Sequence, residues 1–140
     1  MSWEFTVEGQ PVSWNKGYHI VRIQRTGQRG RLRLGADGQP VDVRSIAKTD
    51  DAKAYTDLAA WRAKEAAPKG WNPDGLVVVE YRFFLGTNID CDNVMKFIND
   101  GIQAATGVND KWYLPRAMSK EWGLRPDQRK VIVSVLDTSA

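Results

Sequence analysis

The chain has 140 residues, 42% of them hydrophobic, with a formal net charge of +3 and a single cysteine. This length accommodates one compact domain with a hydrophobic core and is short for two, so we predict a single domain over residues 1–140. The lone Cys91 excludes an internal disulfide and a multi-cysteine zinc module. No apolar run approaches the ~20 residues of a membrane span, and the first residues lack the basic-then-apolar order of a signal peptide. We therefore expect a cytoplasmic protein that does not contact membranes.

The first predicted elements are strands. Trp3–Val7 alternates apolar and polar residues, which is typical of a half-buried strand. Tyr18–Ile23 and Arg31–Leu34 have the composition of two further strands, and the glycines between them favour a hairpin. We expect these two segments to pair with each other.

The first predicted helix covers Asp51–Ala67, where apolar residues recur at helical spacing. Thr49 or Asp50 can cap its start, because a hydroxyl or carboxylate accepts hydrogen bonds from the first free backbone N–H groups. Pro68 and Gly70 then end the helix.

A central strand is predicted over Leu76–Leu85, a run rich in β-branched and aromatic residues. A second helix then begins at Asp90 or Asp92, with apolar residues on one side and Gly107 beyond its end. This order of strand and helix places two acids at the mouth of the second helix.

The last third of the chain contains one clear strand, Val131–Leu136. The Tyr113–Leu124 stretch is ambiguous, and we predict only a short strand around Ala117–Ser119. The predicted fold class is α/β, of the α+β-like kind, with a small mixed β-sheet packed against two main helices.

Arginines are concentrated between residues 22 and 33, a segment that contains no acidic residue. A basic loop or hairpin of this kind is suited to lie along a phosphate backbone, because neutralising phosphates releases counterions. Ordinary solvated surface charge is an equally good interpretation. The members of this segment are Arg22, Arg25, Arg29, Arg31 and Arg33.

The most informative pattern is a pair of acids, Asp90 and Asp92, followed by Asp110 just beyond the next glycine turn. Carboxylate oxygens suit Mg²⁺, so three acids that converge would form a cage for this ion. Helical spacing puts Asp92, Lys96 and Asp100 on one face. Lys96 could then stabilise developing charge, while Asp100 either contacts that lysine or is a simple surface acid. For Asp90 or Asp92 alone, helix capping is the alternative role.

The order Asp90-x-Asp92-Asn93-x-x-Lys96, followed by Asp100, Gly107 and Asp110, resembles the central signature of the RusA-type Holliday junction resolvases. These are small endodeoxyribonucleases often carried by phages and prophages. Pro11-Val12-Ser13-Trp14-Asn15 is similar to an early Pro-x-Ser-x-Asn segment of that family. The resemblance therefore spans most of the chain.

This resemblance implies a small RusA-like homodimer that binds branched DNA. Such an enzyme resolves four-way junctions by paired, symmetric, Mg²⁺-dependent nicks in DNA recombination and repair. It further implies that Asp90, Asp92 and Asp110 are catalytic and hold the metal, and that Lys96 is the catalytic lysine. The residues expected to contact DNA are Asn15, Lys16, Arg22, Arg25, Arg29, Arg31, Arg33, Asn93 and Lys111.

Aromatic residues support two further expectations. Trp112 and Tyr113, beside Asp110, are candidates to stack on an unpaired base. The six tryptophans are generous for so small a core, and aromatics are enriched at interfaces, which favours a homodimer. Two other functions remain open from the residues alone: a non-catalytic protein that binds branched or single-stranded DNA, and a protein–protein adaptor of phage origin.

Overall fold

The computed structural model of the chain describes residues 2–12, 18–24 and 42–137. Within these ranges the chain forms six strands and two α-helices. In chain order these are β1 (Ser2–Glu8), β2 (Tyr18–Gln24), β3 (Asp42–Lys48), α1 (Asp50–Ala66), β4 (Val77–Phe84), α2 (Asp92–Thr106), β5 (Tyr113–Glu121) and β6 (Lys130–Asp137).

Four strands form the main sheet, in the spatial order β1-β6-β4-β5. The β1–β6 and β6–β4 pairs are antiparallel, whereas β4 and β5 run parallel. Two parallel strands require a connection that carries the chain back along the sheet, and α2 provides it. This mixed sheet with two helices confirms the predicted fold class.

One face of the sheet packs against both helices. Alternate residues of β4, such as Val79 and Tyr81, are buried, as period-two alternation requires for a strand with one covered face. They join residues such as Tyr55 of α1 and Phe97 of α2 in a continuous hydrophobic core. Burial of apolar surface stabilises the fold by about 25 cal/mol per Å². Because the apolar residues of β4 all lie on one face, this gain determines which face of the sheet the helices cover.

The start of α1 and the end of α2 lie where the sequence predicts them. The Thr49 side chain accepts a hydrogen bond from the Ala52 N–H at 3.3 Å, which caps α1. At the other helix, Gly107 has a φ of 76°, and its N–H donates to the Gln103 carbonyl at 2.7 Å. Glycine adopts this left-handed conformation without strain, so the helix stops there.

The two helices approach each other closely at Gly101. A Cβ at this position would lie 2.9 Å from the Ala60 backbone nitrogen and 3.0 Å from the Thr56 carbonyl oxygen. Only a residue without a side chain allows this approach. Next to it, the Lys48 ammonium at the end of β3 pairs with Asp100 of α2 at 2.6 Å. None of the helices in the described ranges has the length and apolarity needed to cross a bilayer.

Two strand predictions differ from the structure. The strand at Tyr18–Gln24 pairs with Asp42–Lys48, whereas the expected partner, Arg31–Leu34, lies outside the described residues. The short strand predicted around Ala117 is in fact the nine-residue β5. Only the first residue of β5 is buried, so the alternation that reveals other strands is missing from its sequence.

Candidate functional site

Asp90 lies in the connection between β4 and α2, and Asp92 is the first residue of α2. Their carboxylates are exposed, and the Asp90 Oδ1 accepts a hydrogen bond from the Asp92 N–H at 3.1 Å. Cys91 is the residue that precedes the helix, but its side chain makes no capping hydrogen bond. Asp90 therefore satisfies one N–H group of the helix start, as the capping interpretation predicts.

Both acids line a pocket of about 300 Å³ between the start of α2 and the second half of β5. Its polar lining includes a residue that the sequence did not single out, Lys120. The full lining is Phe83, Asp90, Cys91, Asp92, Met95, Ala117, Met118, Ser119 and Lys120. Because β4 and β5 are parallel, this pocket lies at their carboxyl-terminal edge, where open α/β sheets commonly bind ligands.

A β-bulge explains how four consecutive residues of one strand reach this pocket. The pairing of β4 with β5 shifts between Tyr81↔Ala117 and Arg82↔Ser119, so Met118 is an extra residue without a partner. In a regular strand, side chains alternate between the two faces, and consecutive residues cannot share a wall. The bulge interrupts that alternation and redirects the strand. It thereby brings Lys120 into the same pocket as the acids.

The pKa of the Cys91 thiol depends on the charges around it. Burial raises the pKa of Cys91, the Lys120 ammonium opposes this shift, and the carboxylates of Asp90 and Asp92 add to it. The Cys91 Sγ donates a hydrogen bond to the Ile89 carbonyl at 3.5 Å. Both acids and the lysine therefore act electrostatically on one buried atom, and the thiol is protonated at neutral pH.

Asp110 lies at the other edge of the sheet. Its N–H donates to the Gln103 side chain at 2.8 Å, near the end of α2. Eleven residues of helix separate Gln103 from Asp92, a distance of about 16 Å at 1.5 Å per residue. Asp110 then leads into Tyr113, which pairs with Val77 at the beginning of β4. Since Mg²⁺ ligands lie about 2 Å from the ion, one ion cannot bind Asp92 and Asp110 of the same chain.

The possible metal ligands in the pocket are the carboxylates of Asp90 and Asp92. Nowhere in the described ranges do three or more His, Cys, Asp or Glu side chains form a group suited to hold a metal. Two carboxylates nevertheless fit a hard cation whose other ligands are waters and a phosphate, which is the usual arrangement for Mg²⁺. The three-acid cage expected from the sequence is therefore absent from the described residues. Of its three acids, only Asp90 and Asp92 line the pocket.

The other expected residues on α2 are less closely associated with the pocket. Lys96 is exposed, one turn after Asp92, and does not line the pocket. Asp100 forms an ion pair with Lys48 at the end of β3. Asn93 is half-buried and does not line the pocket either.

The amino-terminal edge of β5 carries a separate cluster. The Lys111 ammonium lies 5.3 Å from the centre of the exposed Trp112 ring. Tyr113 is buried, its hydroxyl donates to the Val108 carbonyl at 2.8 Å, and burial raises its pKa to about 12. The expected stacking role is therefore wrong for Tyr113, because its ring is inside the core.

Most of the expected basic contacts fall on residues that the structure does not describe. Arg22 belongs to β2, but its side chain is outside the described part. Contacts of these residues with DNA stay predictions. Those outside the described residues altogether are Asn15, Lys16, Arg25, Arg29, Arg31 and Arg33.

No protein-family model matches the chain, and no curated protein matches it. Among solved structures, the chain is similar to the 2C-methyl-D-erythritol 2,4-cyclodiphosphate synthase of Plasmodium vivax, with 13% identity and a TM-score of 0.32, over 96% of this chain and 95% of that one. It is also similar to IspF of Plasmodium falciparum in a CDP complex, with 12% identity and a TM-score of 0.28, over 97% and 96%. Scores this low transfer neither a fold nor a function.

The expectation of a RusA-type resolvase is corrected by the comparisons and the fold together: no family model matches the chain, and the three acids of the expected catalytic centre form no common group among the described residues. Neither of the two solved structures described above is named as a nuclease or a recombination protein. Resolution of four-way junctions, and the role in DNA recombination and repair that it implied, were therefore wrong expectations. The two alternatives, a DNA-binding protein and an adaptor, gain no support from the comparisons either. The sequence contains the residue order from Asp90 to Asp110 on which the resemblance rested, but the fold places these acids at two edges of the sheet.

Proposed function

We propose that the chain is an enzyme that acts on the phosphate group of a small molecule, bound together with Mg²⁺ in the pocket between α2 and β5. The observation that carries this proposal is the presence of Asp90, Asp92 and Lys120 in one pocket. Two carboxylates and one ammonium are complementary to a cation and a phosphate that neutralise each other.

The acids are suited to the cation. Mg²⁺ in enzymes is commonly held by one or two carboxylates, with waters and substrate phosphates as the other ligands. Asp92 is exposed, and Asp90 uses only one oxygen in its hydrogen bond to the helix start. A bound divalent cation would polarise a phosphate oxygen and orient the ligand.

Lys120 is suited to the phosphate. Its ammonium is a compact charge with three donors, which binds phosphate oxygens without requiring a fixed plane. The N-terminus of α2 adds a partial positive charge at the same end of the pocket. Lys120 can therefore hold phosphate oxygens and stabilise negative charge that develops on them during a reaction.

The remaining walls limit the size and polarity of the ligand. A volume of about 300 Å³ is at the lower end for sites that enclose small molecules. Phe83, Met95 and Met118 belong to the apolar part of the lining. These apolar side chains can contact an apolar part of a ligand whose phosphate meets the exposed charges. We therefore infer a small phosphorylated compound with an apolar portion.

Titration with Mn²⁺ tests this function, because the free ion is measured directly by electron paramagnetic resonance. We expect one Mn²⁺ site per chain that becomes tighter when inorganic pyrophosphate is added. Asp92→Asn should lose this site. Asp110→Asn is the matched control, since it removes an exposed acid at the opposite edge of the sheet. Absence of Mn²⁺ binding, or equal loss in both variants, would overturn the proposal.

A further inference from the structure

The loop that carries the two acids is held by residues from distant parts of the chain. Gly86 directly follows the buried Leu85 after β4, four residues before Asp90. Its N–H donates to the Gln10 Oε1 at 2.7 Å, and its carbonyl accepts from the Gly123 N–H at 2.9 Å. Both backbone groups of Gly86 are therefore bonded to partners far away in sequence, which fixes the direction in which the chain leaves the strand.

Gln10 makes a second hydrogen bond to the same loop. Its Nε2 donates to the Thr87 carbonyl at 3.3 Å, so one side-chain amide bonds to two consecutive residues. Gln10 itself is placed by the end of β1, because the neighbouring Gly9 N–H donates to the Arg129 carbonyl at 2.8 Å. The amide thus connects the loop to the β1–β6 end of the sheet.

Arg129 holds Gly86 from another side. A Cβ on Gly86 would overlap the guanidinium of Arg129, so this group lies directly against the backbone there. The Arg129 Nε also donates to the Leu124 carbonyl at 3.1 Å, which keeps the guanidinium in place. Gly86 is required here for space, because the neighbouring arginine occupies the volume of a side chain.

We propose that Gln10 and Arg129 are positioning residues for the Asp90–Asp92 site. They lie at the same edge of the sheet as the pocket, since Glu8, Phe84 and Lys130 are register partners across β1, β6 and β4. By fixing Gly86, they determine where the following loop places its carboxylates. This inference rests on the proposed function, in which those carboxylates hold a cation.

Ligand-holding groups depend on such supporting contacts. Outer contacts of a metal site typically change metal affinity by about 10- to 100-fold when they are removed. A loop that is released at Gly86 can sample more positions, so its two carboxylates share a cation less often. Loss of the Gln10 amide should therefore weaken cation binding without removing any ligand.

The test compares Gln10→Met with Gln103→Met. Both keep the side-chain volume and remove an amide that bonds to a backbone N–H, that of Gly86 in one case and that of Asp110 in the other. Amide hydrogen exchange should become faster over residues 86–92 only in the first variant and over residues 108–112 only in the second. Mn²⁺ affinity should fall about 10-fold only in the first. Gly86→Ala, which displaces the Arg129 guanidinium, should act in the same direction.

The two readouts separate this inference from the proposed function. Unchanged exchange over residues 86–92 in Gln10→Met would overturn the positioning role, whatever the metal does. Faster exchange with unchanged Mn²⁺ affinity would overturn it as well. If the unaltered protein binds no Mn²⁺ but Gln10→Met makes exchange faster over residues 86–92, the proposed function is wrong. The same result would support the role of Gln10 in fixing the loop.

Discussion

Lys120 and Asp92 line the same pocket, although one belongs to the second half of β5 and the other to the first turn of α2. The bulge at Met118 makes this possible, because it pairs Lys120 with Phe83, a buried residue on the helix-facing side of β4. An ammonium and two carboxylates that surround one space, rather than neutralising each other at a surface, favour a ligand with both signs of charge. A phosphate with its cation has that property.

The first prediction concerns Lys120. Lys120→Met should weaken pyrophosphate binding in the presence of Mn²⁺ by about 10-fold, because a hydrogen bond to a charged group contributes about 1.5–3 kcal/mol. Mn²⁺ binding alone should be unchanged or tighter, since a repelling positive charge is removed. Calorimetric titration measures both affinities. Lys111→Met, at the other end of β5, is the control, and equal losses in the two variants would contradict the role of Lys120.

The second prediction uses the pH dependence of Cys91. Burial and the two acids raise the pKa of this thiol, so its alkylation should become fast only at a higher pH than for an exposed cysteine. Lys120 opposes the shift, so Lys120→Met should move the rate profile to still higher pH. Asp92→Asn should move it to lower pH. Mass spectrometry of iodoacetamide-treated protein gives the rates, and identical profiles in all three proteins would contradict the proximity of these charges.

The third prediction concerns the contact between the helices. Gly101→Ala should destabilise the fold by about 1–3 kcal/mol, the usual cost of overpacking, because its Cβ would meet backbone atoms that cannot move aside. Alanine is the better helix former by about 1 kcal/mol, so the observed loss is the net of the two effects. Urea unfolding measures it. Gly75→Ala is the control, since a Cβ there meets nothing within 4 Å and no change is expected.

The fourth prediction concerns Lys48 and Asp100, whose side chains are only 23% and 29% exposed. A double-mutant cycle with Lys48→Met and Asp100→Asn should give a coupling of about 1 kcal/mol, at the upper end for ion pairs near a surface. Arg125 and Asp127, with side chains 74% and 73% exposed, should show no measurable coupling in the same experiment. A coupling as small in the first pair as in the second would contradict the contact between β3 and α2.

The homodimer expected from the sequence stays a prediction. Among the described residues, the large exposed hydrophobic side chains lie mainly along or beside β5, including Trp112, Leu114, Met118 and Trp122. Burial of such side chains against a second copy would be favourable. Sedimentation velocity at micromolar concentration should then detect a dimer that Leu114→Glu weakens. A monomer at all concentrations would contradict this expectation.

The sequence by itself determined the elements whose signals are local. Thr49 caps α1, Gly107 ends α2, and alternation in β4 predicts a strand with one covered face, because each of these depends on residues a few positions apart. The pair Asp90 and Asp92 was likewise predicted at the start of a helix, and α2 begins at Asp92. These parts were accessible because backbone hydrogen bonding and side-chain periodicity act over single turns and single strands.

Only the tertiary structure decided which charged residues share a site. Asp110 is close to the acid pair in the motif, but the parallel pairing of β4 and β5 makes α2 carry the chain to the opposite edge. Lys120 reaches the pocket because a bulge adds one residue to β5, and no local sequence pattern predicts that bulge. Gln10 meets Gly86 only because β1 and β4 end at the same edge of the sheet. Strand order, direction and register are set by long-range packing, which the spacing of residues in the sequence does not contain.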